Sequence, residues 1–143
     1  MSLANILLVD DEAPFVETMT KRLNKRGFDI LSAHNGQDAL DQLSRHSGIE
    51  VVILDVKMPG MDGVQTLEEI KRKFPIAEVI MLTGHATVES AIEGMKLGAF
   101  DYLMKPCDME QLVAKVEAAA LRRRSHEEKI IKARMKEIAF RQA

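Results

Sequence analysis

Tryptophan is absent, and aromatic residues make up only 4% of the 143-residue chain. The core must therefore be aliphatic, with nine methionines as adaptable filler. A single cysteine, Cys107, excludes an internal disulfide framework and suits a reducing compartment. With no histidine placed to activate it, Cys107 reads as a small buried or half-buried residue. No apolar run approaches the roughly 18 residues of a membrane-crossing helix. No basic segment followed by an apolar stretch marks a secretory leader. The expectation is a soluble, cytoplasmic chain without membrane contact. Excess positive charge is also lacking: the formal net charge of −2 argues against a nucleic-acid surface spread over the chain. His34, His46, His85 and His126 are scattered, which argues against a histidine metal site. What is abundant is hydrophobic content, 46%, enough to fill the core of one domain.

Short β-rich runs alternate with amphipathic stretches. The strand candidates are Ile6–Val9, Asp29–Ala33, Val51–Leu54, Val79–Leu82 and Asp101–Met104. Between them, apolar residues recur at helical spacing: Phe15, Met19 and Leu23; Ala39, Leu40 and Leu43; Val64, Leu67 and Ile70. Pro14 suits a first helical turn and Gly27 a helix stop. A fourth helix is expected over 88–97, stopped by Gly98, and a fifth from Asp108, a good N-cap. Five strand–helix units imply a parallel sheet covered on both faces. The expected fold is α/β, a doubly wound five-stranded parallel sheet in the flavodoxin-like order 2-1-3-4-5.

In such sheets ligands bind at the carboxyl ends of the strands, where the strand order reverses. Strand 1 ends in Asp10 and Asp11, strand 3 in Asp55, strand 4 in Thr83 and strand 5 in Lys105. Strands 1 and 3 are expected neighbours, so three carboxylates crowd together and repel unless a cation relieves them. Mg²⁺ fits, being hard, oxygen-seeking and commonly shared with a phosphate. Lys105 and Thr83 then suit phosphoryl oxygens, as point charge and hydroxyl donor. A carboxylate can itself accept the phosphoryl group. Asp55 is the best acceptor, because it ends the most central apolar strand and a Pro-Gly loop follows it. Each of these residues alone has a dull explanation, such as a helix cap or a surface charge; their joint placement at four strand ends outweighs it.

Four segments carry a family resemblance: Ile6-Leu7-Leu8-Val9-Asp10-Asp11-Glu12, Val52 through Gly63, Met81-Leu82-Thr83-Gly84, and Asp101-Tyr102-Leu103-Met104-Lys105-Pro106. Over roughly residues 4–120 the chain resembles the receiver domain of two-component response regulators. The stretches Thr83–Ala91 and Gly98–Tyr102 look most like receivers of the nitrogen-regulation, sigma-54 activator type. The resemblance implies phosphoryl transfer to Asp55 from a sensor histidine kinase or phosphotransfer protein. It implies Mg²⁺ held by Asp10, Asp11, Asp55 and the backbone carbonyl of Lys57. It makes Thr83 and Tyr102 a switch pair, Lys105 the phosphate-binding lysine, and the Lys105–Pro106 bond cis. Lys57, His85 and Pro106 border the site, and Lys57 and His85 are expected to slow the approach of water to the acyl phosphate. On phosphorylation Thr83 swings in, Tyr102 fills the vacated space, and the face of helix 4, strand 5 and helix 5 changes. Receivers of this type usually precede an ATPase and a DNA-binding module; the chain contains no Gly-x-x-x-x-Gly-Lys-Ser/Thr loop.

Residues 1–120 are thus the expected receiver domain and 121–143 a helical extension or linker. Arg122, Arg123 and Arg124 read as a solvated helix face. Ile131, Met135 and Ile138 are helix-compatible, so three readings stand: one long helix that pairs with a second copy, a frayed linker, or the start of an interdomain linker. Dimerisation through helix 4, strand 5 and helix 5 is a further partner expectation. Two other functions compete with the switch. A phosphohydrolase of the haloacid-dehalogenase kind would need a second Asp two residues after the nucleophile, where Lys57 stands. A phosphate-blind interaction module would lack one of the site residues, and none is lacking. The expectation is therefore not an enzyme but a phosphoacceptor.

Overall fold

The computed structural model describes residues 3–84 and 87–142. The apolar runs form strands and the periodic stretches helices, in the order β1 (Asn5–Val9), α1 (Ala13–Lys25), β2 (Asp29–Ala33), α2 (Gly36–Arg45), β3 (Val51–Leu54), α3 (Gly63–Lys73), β4 (Glu78–Thr83), α4 (Val88–Lys96), β5 (Asp101–Met104) and α5 (Met109–Gln142). The sheet is parallel throughout and runs β2-β1-β3-β4-β5. This is the doubly wound order expected from the sequence. It reverses between β1 and β3, and Val9 pairs with Leu54 there, so the residues that follow each strand emerge side by side.

Strand alternation splits the core in two. Ile6, Leu8, Ile53, Ile80 and Leu82 face α1 and α5, meeting Met19, Leu23, Leu112 and Val116. Leu7, Val9, Val52, Leu54 and Met81 face the other way, toward Leu40, Leu43, Leu67 and Ile70 on α2 and α3. Each fully buried aliphatic side chain of this kind contributes about 1.5–3 kcal/mol. Pro14 lies in the first turn of α1, and Gly27 follows that helix at φ +93°, the left-handed geometry of a helix stop. Asp62 and Gln65 close a capping box on α3.

The fifth helix runs unbroken for 34 residues. No helix among the described residues is long and apolar enough to cross a membrane. Arg122 and Arg124 are exposed, as a solvated helix face implies, but the basic triplet also reaches partners elsewhere in the fold. Arg124 holds Glu50 with two hydrogen bonds, of 2.6 and 3.0 Å, and donates to the Leu3 carbonyl at 2.8 Å. Arg122 lies 3.0 Å from Glu78, and Arg123 donates to the Ser47 carbonyl at 3.1 Å. Glu50 and Glu78, at the amino ends of β3 and β4, are only 6% and 2% exposed. Buried carboxylates require cations, and the triplet supplies them. Nothing in a local pattern of three arginines points to partners more than forty residues away.

Candidate functional site

The carboxyl ends of β1 and β3 bring Asp10, Asp11 and Asp55 together. One oxygen from each lies within 4.8 Å of the others. Asp10 and Asp55 are buried and Asp11 is exposed, so the cluster opens to solvent on one side. Asp10 Oδ1 accepts the Glu12 backbone N–H at 2.9 Å, which turns the chain into α1. Asp55 Oδ1 is buried with no hydrogen-bond partner among the described residues. An all-oxygen donor set of this kind, with one donor unspent, fits a hard divalent cation. An open cleft lined by Asp11, Glu12, Lys57, Met58 and Pro59 adjoins the cluster. A larger cavity lies at the other end of the sheet, around Asn5, Asp29 and His46, away from these carboxylates.

Lys105 reaches in from the end of β5. Its Nζ is 2.6 Å from Asp10, 3.4 Å from Glu12 and 3.8 Å from Asp55, and it stacks 3.9 Å from the centre of the Phe15 ring. Burial works against its charge, but the bond to Asp10 and the charges of Asp10, Asp55 and Glu12 outweigh burial and raise its pKa. Asp10 is also raised: burial dominates, the Lys105 and Glu12 hydrogen bonds oppose it, and the Asp55 charge adds to the rise. Both groups hold their protons more tightly, Asp10 chiefly because it is buried and Lys105 because carboxylates surround it. The site as it stands is short of positive charge.

Thr83 is fully buried at the end of β4, and its carbonyl accepts the Lys105 N–H at 2.9 Å. Tyr102 is half-buried on β5, with its hydroxyl 3.0 Å from Ser90 Oγ. Lys57 is exposed in the loop after β3, beside the cleft. Pro106 is exposed, and the bond before it is cis, as the resemblance implied. His85 lies outside the described residues. Cys107 is half-buried against the core, where burial and the neighbouring Asp108 raise its thiol pKa.

Three contributors were not singled out from the sequence. Glu12 and Phe15 both contact Lys105, and their only signal was closeness in the chain to Asp10-Asp11. The third, Gly63, opens α3 directly beneath the acceptor candidate. A Cβ there would stand 2.1 Å from the Asp55 carbonyl oxygen and 2.6 Å from Val56 Cα. Only glycine lets the helix approach so closely, and the Gly63 N–H donates to the Val56 carbonyl at 2.7 Å.

A doubly wound sheet with acids at its switch point and a lysine opposite them defines a class. Residues 6–117 match the response regulator receiver domain family, and the chain belongs to it. Among curated relatives, the transcriptional regulatory protein ZraR of Escherichia coli K12 is 39% identical over 115 residues, covering 80% of this chain. The chain spans only 26% of that relative's length. Among solved structures, a response regulator receiver domain protein from Clostridium thermocellum matches with a TM-score of 0.81 and 37% identity, covering 85% of this chain and 97% of that one. NtrX from Brucella abortus matches with a TM-score of 0.80 and 30% identity, over 90% of this chain and 29% of its own. The resemblance drawn from the four motifs, nitrogen-regulation type included, is borne out.

Proposed function

We propose that this receiver is a phosphoacceptor switch in which Asp55 takes a phosphoryl group from a sensor histidine kinase or phosphotransfer protein. The observation that carries this is the buried Asp55 oxygen, unpartnered among the described residues, beside Asp10 and within reach of Lys105. A buried acceptor without a donor is costly unless an arriving group uses it. An Asp55 oxygen forms the new bond to phosphorus as the donor's bond to phosphorus breaks, and the electron pair leaves with the donor. Lys105 turns from Asp10 to a phosphoryl oxygen, and the Thr83 hydroxyl donates to another. Asp10, Asp11, Asp55 and the Lys57 carbonyl would hold Mg²⁺. When bound, that ion supplies the positive charge the site lacks and draws the phosphoryl oxygens into place.

The product is an acyl phosphate held stoichiometrically. Lys57 occupies the position where a phosphohydrolase needs its second Asp, so the chain is not a turnover enzyme. Movement of Thr83 and then Tyr102 changes the α4–β5–α5 surface, which controls a partner, an attached output domain or a homodimer. The family and the sequence composition support a cytoplasmic setting. Intact-protein mass spectrometry with acetyl phosphate and Mg²⁺ tests the acceptor. Wild type should gain one phosphoryl mass and Asp55→Asn none; a gain that survives Asp55→Asn sinks the assignment. Rapid multiple turnover of phosphate esters would favour a phosphohydrolase instead.

A further inference from the structure

Of the five helices, α4 is the most thinly attached. Gly94 is its one buried residue, while Val88, Ile92 and Met95 are exposed. What holds its amino end is a ring of short polar bonds. Thr87 Oγ1 accepts the Ser90 N–H at 3.0 Å, and Ser90 Oγ accepts the Thr87 N–H at 3.1 Å. Ser90 Oγ also lies 3.0 Å from the Thr87 carbonyl and 3.0 Å from the Tyr102 hydroxyl. A serine hydroxyl has one proton and two lone pairs. The Thr87 hydroxyl also donates to Ser90 Oγ, at 3.1 Å; with the Ser90 proton on the Thr87 carbonyl and one lone pair on the Thr87 N–H, the other lone pair is shared by the Thr87 and Tyr102 hydroxyls. The Tyr102 ring meets the same helix a turn later: a Cβ on Gly94 would lie 3.8 Å from Tyr102 Cδ2.

We infer that Ser90 is the residue through which α4 senses Tyr102. The phenol helps fix the Ser90 rotamer, that rotamer completes the capping box, and the box holds the first turn of a helix that buries only Gly94. When Tyr102 turns inward, Ser90 loses one of its hydroxyl partners and the box loses a group that steadies its geometry. The change in α4 is then a loss of N-terminal order, not a rigid shift. The trigger rests on the phosphoacceptor reading above; the tether itself does not.

Amide hydrogen exchange over residues 87–96 tests both parts, in wild type, Ser90→Ala, Ser90→Thr, Tyr102→Phe and the Ser90→Ala/Tyr102→Phe double variant. In the resting protein, Ser90→Ala and Tyr102→Phe should each speed exchange in this turn about fivefold, the usual scale of a lost cap. The double variant should be no faster than either alone, the mark of one shared interaction. Ser90→Thr, which keeps the hydroxyl, should restore slow exchange. Additive effects, or a resting Ser90→Ala protein as slow as wild type, overturn the tether. Adding beryllium fluoride with Mg²⁺ should speed wild-type α4 and leave Ser90→Ala nearly unchanged. A wild-type α4 that ignores the probe while acetyl phosphate still adds one phosphoryl mass to Asp55 overturns the release step alone; if that mass gain is missing too, the phosphoacceptor reading falls with it. A wild-type response that Ser90→Ala shares in full overturns the part assigned to Ser90 alone.

Discussion

Gly63 fixes the gap between the turn after β3 and the first turn of α3. The atoms a side chain would strike belong to the Asp55 and Val56 backbone, which cannot rotate away. Gly63→Ala should cost about 1–3 kcal/mol, as overpacking does, read as a shift in the urea midpoint. It should also slow phosphorylation by acetyl phosphate, because the strain falls on Asp55 itself. Lys57 is exposed beside the cleft, and its proposed part is in a later step. Lys57→Ala should speed loss of the acyl phosphate several-fold by opening a path for water; a slower loss would end the shielding idea. The chemistry-bearing residues were legible because their positions follow from topology. Asp10, Asp55, Thr83 and Lys105 each end a strand, and parallel strands deliver their ends to one rim. Gly63, Glu12 and Phe15 were not legible, because their importance lies in distances that exist only after folding.

At the scale of elements, β4 and β5 carry the proposed switch pair and α4 the expected response. Thr83 is fully buried, so its hydroxyl belongs to the buried rim rather than to the surface. Thr83→Ala should leave the phosphoryl mass gain on Asp55 intact while abolishing the change in α4 exchange that beryllium fluoride produces. A variant that still responds fully would place the coupling elsewhere. The strands and helices themselves were readable from periodicity; β3 and β5 fall where the apolar runs do. The length of α5 was open, since the absence of Gly and Pro permits a helix without requiring one. The structure joins both halves into a single helix, and the Arg122–Arg124 contacts anchor its middle.

Across the whole molecule, charge is distributed at two ends of one sheet. The carboxyl rim holds the acid cluster; the amino rim holds Glu50 and Glu78. Burial pushes the Glu50 pKa up, but hydrogen bonds from Arg124 and the Asn5 amide, with the nearby arginine charges, outweigh it and hold the carboxyl below its ordinary range. The unfolded chain therefore binds this proton more readily than the folded one. The contribution of Glu50 is complete above the ordinary glutamate value of about 4.3, and it is lost as pH falls through the lower folded-state value. Glu50→Gln should cost about 1.5–3 kcal/mol at pH 7, the range for hydrogen bonds to charged groups. Denaturant midpoints measured down to pH 3 should show that gap closing; a constant gap would mean that packing, not charge, is responsible.

These contacts bear on how such a protein is divided and recombined. We propose that the folded body extends to Arg124, beyond the residue 120 boundary that the motifs suggest. A chimera spliced at residue 120 would leave Glu50 without its guanidinium and Glu78 with Lys71 alone, 3.3 Å away. The arginines that neutralise them would lie on the foreign side of the seam. A splice after Arg124 keeps each acid with its own base, so the grafted unit should travel between proteins with its stability intact.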